Sequence, residues 1–301
     1  RYEEVQQLGE ELKVVGPEIL GTSVRVDVGI AAADVDVYDA HSALSLGLPS
    51  PRHVAEVVHT TFVKNGYAVG CVHPSDDLSD LKVYVIPHWA IFKPEWMPAL
   101  EAWVEDGGTL IVGARTATKD WNNNVVAETP PGLFHKLCGI KVLEYGRRND
   151  PDKRPLIISF PKERVGADDW YEVLEIMPGA GTLARWDSRH IKRKPAITMK
   201  KVGEGAVIYV GATLSRPIIQ ALLPALEERG LEKLWAPAPD GVQVVVRENA
   251  EKRLWFFFNA TDMLRSVLQL PANENLLSLT GSKFTRLYMQ PHDVAILKEI
   301  L

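Results

Sequence analysis

The 301 residues carry 34 basic and 39 acidic side chains, a formal charge of −5, with 46% hydrophobic residues. That is the balance of an ordinary globular protein of roughly two domains, with no clustered basic face for a nucleic acid. No apolar run approaches the roughly 20 residues of a membrane span, and two cysteines, Cys71 and Cys138, make no disulfide scaffold.

Val5, Leu8, Leu12, Val15 and Ile19 recur at helical spacing and predict a leading helix, interrupted by Gly16-Pro17. Val24, Val26, Val28 and Ile30 alternate as one strand. Ser50-Pro51 opens a helix, with serine as N-cap and proline at the first position, and Asn65-Gly66 ends it. Strands follow at Ala68–Val72 and Val83–Ile86. A helix then runs from Lys93-Pro94 to Gly107. Thr109 to Val112 reads as a buried strand of a parallel sheet. A short helix over Leu133–Cys138 leads to a strand over Lys141–Tyr145. Short apolar strands alternating with helices predict a doubly wound α/β fold.

After a charged loop at Gly146–Pro155 the texture turns to strands: Leu156–Phe160, Tyr171–Met177, Thr182–Trp186, Ala196–Lys201 and Ala206–Val210. These read as a β-rich insertion, closed by a helix over Arg216–Glu228. Pro237 and Pro239 mark a linker. Five further strands, from Val242 to Leu297, read as a small all-β module. The expected divisions are a leading helix at 1–22, an α/β domain at 23–235 and an antiparallel β domain at 240–301.

The richest stretch is Gly107–Asn123, a strand running into a polar loop. Arg115, Thr116, Lys119, Asp120, Asn122 and Asn123 gather at the strand's carboxyl end, where open α/β sheets place functional groups. Trp121 is an aromatic among them, suited to an interface. Arg115 and Asp120 are expected to pair. Lys119 is expected to point outward, and Asn122 and Asn123 to bond backbone in a turn. Asp34, Asp36 and Asp39 form the best acidic cluster, read as turn and cap chemistry. Neither cysteine sits in a glycine-framed elbow. No HExxH, CxxC or phosphate loop is present, so no metal, cofactor or catalytic residue is expected in this chain. The start at Arg1 suggests a processed or cut piece, which would have lost any signal peptide; two cysteines outside a disulfide scaffold fit a reducing compartment, and a cytoplasmic location is the expectation.

Four stretches, in order, resemble family 42 β-galactosidases. They are YEEVQQLGEELKVVGPEILGT; GGTLIVGARTATKDWNN with PPGLFHKLCGIKV; KVGEGAVIYVGATLS; and RLWFFFNATDMLRSVLQLP with LYMQPHDVAILK. The loop of the second departs from the family's pattern at Ala117, Thr118 and Trp121. The resemblance implies a flavodoxin-like or class I amidotransferase-like α/β domain that mediates a homotrimer, followed by a small β domain. It implies an absent N-terminal (β/α)8 barrel holding both catalytic glutamates of a retaining glycosidase, and any zinc cluster. The loop at Arg115–Asn123 would then help wall a neighbour's active site, touching a β-galactoside only indirectly. Two competing readings stay open. One is a stand-alone amidotransferase-like enzyme, which needs a cysteine nucleophile with a histidine partner. The other is a carbohydrate-binding module.

Overall fold

The computed structural model describes residues 2–31, 48–148, 155–235, 238–268, 270, 274–276 and 286–301. Asp34, Asp36 and Asp39 lie outside the described residues. The chain divides into two compact units. One comprises Arg1–Val26, Phe62–Val69 and Glu232–Leu301, the other Asp27–Thr61 and Gly70–Leu231. These units are drawn differently from the sequence boundaries, because the leading segment belongs with the C-terminal strands.

After helix α1 (Tyr2–Ile19) and strand β1 (Ser23–Val24), the second unit begins with strand β2 (Val28–Ile30) and the part of helix α2 (Pro51–Lys64) up to Thr61. Ser50 Oγ accepts the His53 N–H at 3.2 Å, satisfying one of the first-turn donors of α2. Val54, Ala55 and Val58 form its buried stripe. Strands β3 (Val69–Cys71) and β4 (Val83–Ile86), helix α3 (Met97–Glu105) and strand β5 (Thr109–Gly113) follow. Helix α4 (His135–Cys138) ends at Gly139, whose φ of 64° suits glycine. The remaining strands are β6 (Ile140–Arg147), β7 (Leu156–Ser159), β8 (Arg164–Ala167), β9 (Trp170–Ile176), β10 (Ala180–Trp186), β11 (Pro195–Val202) and β12 (Gly205–Val210). Helix α5 (Arg216–Glu227) closes the unit.

Nine strands form one sheet in the order β3-β2-β4-β5-β12-β11-β10-β7-β8. From β2 through β12 neighbouring strands run parallel, and from β12 to β8 they run antiparallel. Every residue of β4, β5 and β12 is buried, as befits strands covered on both faces. The expected parallel sheet with a separate β-rich insertion is thus a mixed sheet. The strands of the supposed insertion extend it, with β6 and β9 as a two-stranded ribbon. Short connections explain the change of direction. Gly203-Glu204 joins β11 to β12, and so short a link permits only an antiparallel pair. That hairpin approaches the end of α3 so closely that a Cβ on Gly205 would fall 1.9 Å from the Val104 carbonyl oxygen.

The first unit holds a five-stranded antiparallel sheet in the order β1-β13-β14-β18-β16. Its strands are β13 (Val242–Glu248), β14 (Lys252–Asn259), β16 (Glu274–Asn275) and β18 (Val294–Ile300), with β1. A two-stranded pair is formed by β15 (Arg265–Val267) and β17 (Leu287–Met289). The strand expected over Val24–Ile30 is therefore two strands in two sheets. Alternation is satisfied by either partner, and Ser23–Val24 finds β13 while Val28–Ile30 finds β4. Trp235, Val244, Trp255, Phe257 and Met289 lead this unit's core. Glu18, near the end of α1, accepts from Lys252 and Lys298 at 2.6 and 2.9 Å. Asn259 Nδ2 lies 2.7–3.2 Å from the carbonyls of Met263, Met289 and Gln290, and its Oδ1 accepts from Thr261. The Asn-Ala-Thr sequence is a turn clasp here.

Candidate functional site

Strand β5 ends at Gly113, where a Cβ would meet the His88 backbone nitrogen and ring at 3.0 Å. The chain then turns through residues that adopt a left-handed backbone without being glycine. Arg115 has φ 66°, Ala117 54° and Asn123 66°, and His88 beneath them has 57°. Non-glycine residues hold such conformations only when the surroundings over-determine them.

The surroundings do. Thr116 Oγ donates to the Gly113 carbonyl at 2.7 Å and Thr118 Oγ to the Arg115 carbonyl at 2.9 Å. The Ala117 and Lys119 N–H groups donate to the carbonyls of Trp89 and Ala90 at 2.8 and 2.9 Å. Asp120 accepts the Asn124 N–H at 2.8 Å and its amide at 3.2 Å, closing the loop's tip. His88, 4% exposed, donates from Nδ1 to the Ala114 carbonyl and accepts the Leu214 N–H at Nε2. Burial pushes its ring down to about 4, the Ala114 bond opposing, so the ring is neutral near pH 7.

The group that fixes the loop's first turn is Glu172 on β9, 1% exposed. Its Oε1 accepts the Arg115 backbone N–H at 3.2 Å and its Oε2 accepts the Tyr209 hydroxyl at 2.6 Å. Burial pushes its carboxyl up to about 7, against the Tyr209 bond and the Arg115 charge. The same burial, with Glu172 beside it, raises Tyr209. Sequence reading passed over Glu172. The signal was its place in Trp170–Ile176, where period-two alternation puts it on the face of Trp170 and Leu174.

The expected pairing of Arg115 with Asp120 is absent among the described residues. The Arg115 guanidinium instead lies 4.7 Å from the Tyr145 ring centroid, and Tyr145 stacks on Trp170. Arg115 is better satisfied there, because a planar guanidinium stacks well and Asp120 is already used by Asn124. Lys119 is half-buried, and burial and then Arg115 lower its pKa. Trp121 is 45% exposed, with Lys93 Nζ 3.8 Å from its ring centroid. Asn122 is exposed, and Asn123 supplies a left-handed turn residue. The structure thus brings Arg115, Thr116, Lys119, Asp120 and Trp121 into one fixed loop. Among the described residues no group of three histidine, cysteine or carboxylate side chains could hold a metal. Burial raises both thiols, those of Cys71 and Cys138.

A family described as the β-galactosidase trimerisation domain matches residues 24–232. The chain belongs to that family. The trimerisation domain match spans β5, the loop, Glu172 and Tyr209. Among curated proteins, the chain is 27% identical over 308 residues to β-galactosidase BgaB of Geobacillus sp. (strain Y412MC61), covering 99% of this chain and 44% of that one. β-Galactosidase LacZ of Heyndrickxia coagulans is 26% identical over 312 residues, at 99% and 44% coverage. Among solved structures, β-galactosidase from Bacillus circulans sp. alkalophilus superposes with a TM-score of 0.84 at 22% identity, over 99% of this chain and 45% of that one. The enzyme of Halorubrum lacusprofundi gives 0.82 at 22%, over 100% and 43%. These structures share the fold. The chain spans less than half the length of each of these four relatives. No described helix is long and apolar enough to cross a membrane.

Proposed function

We propose that this trimerisation domain assembles copies of a β-galactoside-hydrolysing enzyme and performs none of the hydrolysis itself. The observation that carries this reading is the family match over 24–232 in a chain spanning 44% of its β-galactosidase relatives. The site supports it. Glycoside hydrolysis needs two carboxylates facing a sugar, whereas Glu172 is enclosed, with both oxygens engaged by the protein. The loop offers hydrogen-bond donors, a stacked arginine and an exposed indole on a fixed frame.

In this reading the α/β unit is flavodoxin-like and the second sheet a small C-terminal β domain, with a catalytic barrel elsewhere in the enzyme. Residues Arg115 to Asn123 face a neighbouring copy in a cytoplasmic homotrimer and form part of its active-site wall. A stand-alone amidotransferase-like enzyme is disfavoured by Ala114, which occupies the strand-end position where such an enzyme needs its cysteine. Sedimentation of the chain over a concentration series, with a chromogenic β-galactoside present, tests the proposal. Association to three copies without hydrolysis is expected. A monomer throughout, or turnover that survives repurification and is lost on replacing an acidic residue, refutes it.

A further inference from the structure

Apart from the loop, a cavity of about 370 Å³ opens where α2 and the turn from β12 into α5 come together. That is within the usual size of a small-molecule site. Pro49, Val54, Val57 and Leu214 give it apolar walls, and Thr213 and Ser215 line it where the chain enters α5. Thr213 is 2% exposed, and its hydroxyl is buried without a hydrogen-bond partner. The buried Ser215 hydroxyl has none either, although Ser215 is the N-cap residue and would ordinarily bond the helix it precedes. Helix α5 starts Arg216-Pro217, and its first backbone acceptance is from Ile219 to the Ser215 carbonyl. The N–H groups of Arg216 and Ile218 therefore remain without a partner among the described residues, at the positive end of a helix.

Two hydroxyls without partners, on residues that line the cavity, thus lie beside an uncapped helix start. Buried polar groups are normally satisfied, and each one left alone is destabilising. An acceptor supplied from outside would satisfy them, and a helix start favours that acceptor being an anion. Asp168 also lines the cavity. Desolvation and then Asp169 hold its carboxyl above the usual range, with His53 opposing. A simple anion such as phosphate would be repelled by it, while a ligand donor beside the carboxylate would relieve it. Among the described residues no tryptophan, tyrosine or phenylalanine lines the cavity, so a sugar face lacks its usual stacking platform.

We propose that this cavity binds a short branched organic acid bearing a 2-hydroxyl or 2-amino group. The carboxylate meets the Thr213 and Ser215 hydroxyls and the first turn of α5. The hydroxyl or ammonium faces Asp168, and the branch packs against Val54, Val57 and Leu214.

Calorimetric titration of the chain with 2-hydroxyisovalerate, L-valine, isovalerate, inorganic phosphate and D-galactose tests this. Saturable binding of 2-hydroxyisovalerate or L-valine is expected, with isovalerate weaker for want of a donor. The stronger of the two tells hydroxyl from ammonium. Thr213→Val and Ser215→Ala should each weaken the better ligand about fivefold or more, as loss of one buried hydrogen bond does. Circular dichroism checks that each variant folds. If Thr213→Val does not, Ser215→Ala, at a partly exposed position, carries the test. Absence of saturation by either acid up to about 10 mM, well above the millimolar range of weak binding, overturns the proposal. So does binding indifferent to Ser215→Ala, or tighter binding of phosphate or galactose.

Discussion

Glu172→Gln separates the two things the buried carboxylate does. Glutamine has the same shape. Its carbonyl can accept the Arg115 N–H, and its amide can donate to the Tyr209 oxygen, so both contacts survive in altered form. What the substitution removes is ionisation. The carboxyl is pushed from the ordinary 4.5 to about 7. Because the folded-state value is raised, the stabilisation is fully present below pH 4.5 and is lost as pH rises through 7. At 1.36 kcal/mol per unit, the whole loss is about 3 kcal/mol, of which about 2–3 kcal/mol falls between pH 5 and pH 8. Wild-type unfolding alone will not reveal it. His88, pushed down from 6.5 to about 4, has the opposite slope over nearly the same window. The two largely cancel. The difference between wild type and variant keeps only the Glu172 part. Urea unfolding of both proteins at pH 5, 6, 7 and 8 should therefore show the variant gaining on wild type by about 2–3 kcal/mol from the lowest to the highest pH. Parallel profiles would refute the assignment of a raised carboxyl to this position.

His88 should remain neutral and carry its proton on Nδ1 at pH 5.5, which ring-nitrogen NMR shifts report; a charged ring at pH 6 contradicts the burial argument. Since its folded value is depressed, its contribution of up to about 3 kcal/mol is present above pH 6.5 and lost as pH falls through 4. Gly205→Ala places a Cβ 1.9 Å from the Val104 carbonyl oxygen and 2.3 Å from that of Gly108. Both are backbone atoms and neither can rotate away, so a loss of about 3 kcal/mol is expected; an unchanged Tm would show that the hairpin and α3 separate freely. Trp121→Ala removes a half-exposed ring whose contact with Lys93 is worth at most about 1 kcal/mol. Its effect should fall on self-association measured by sedimentation, and equal dissociation constants for wild type and variant would deny the loop an interface role.

Faces were legible in the sequence and partners were not. The buried runs of β4, β5 and β12 follow from apolar runs bounded by turn residues, and the start of α2 follows from Ser50-Pro51. The helix after Lys93-Pro94 is also where its proline predicts, though its first turn, Pro94–Trp96, is a 3-10 helix. Period two, however, says only which side a residue faces. It cannot say that Ser23–Val24 pairs with β13 while Val28–Ile30 pairs with β4. Nor does it say that β10 and β11 continue the parallel strands' sheet instead of leaving it. Pairing is decided by connection length and by what lies free at each sheet edge. Strand β8 was missed because Arg164–Ala167 offers one apolar pair among charge and glycine, and it takes its order from β7.

The loop shows the same division at the scale of single residues. Its membership, Arg115 to Asn123, follows from polar residues crowded after a buried strand. Its form does not, because the bonds that impose it come from far along the chain. Glu172 is 57 residues from Arg115, and Tyr209 is 37 from Glu172. Residues seen only as a local cluster invite local pairings such as Arg115 with Asp120. The structure makes Arg115 answer to Tyr145 and Glu172 and leaves Asp120 to Asn124. A connecting loop would place glycine at φ values such as those of Arg115 and Ala117 and escape the strain. This one keeps side chains there and is held in place by Trp89, Ala90 and Glu172. Strain sustained by bonds from two separate segments has a use when a loop must present a fixed surface. That is the requirement of the wall between copies proposed for this loop.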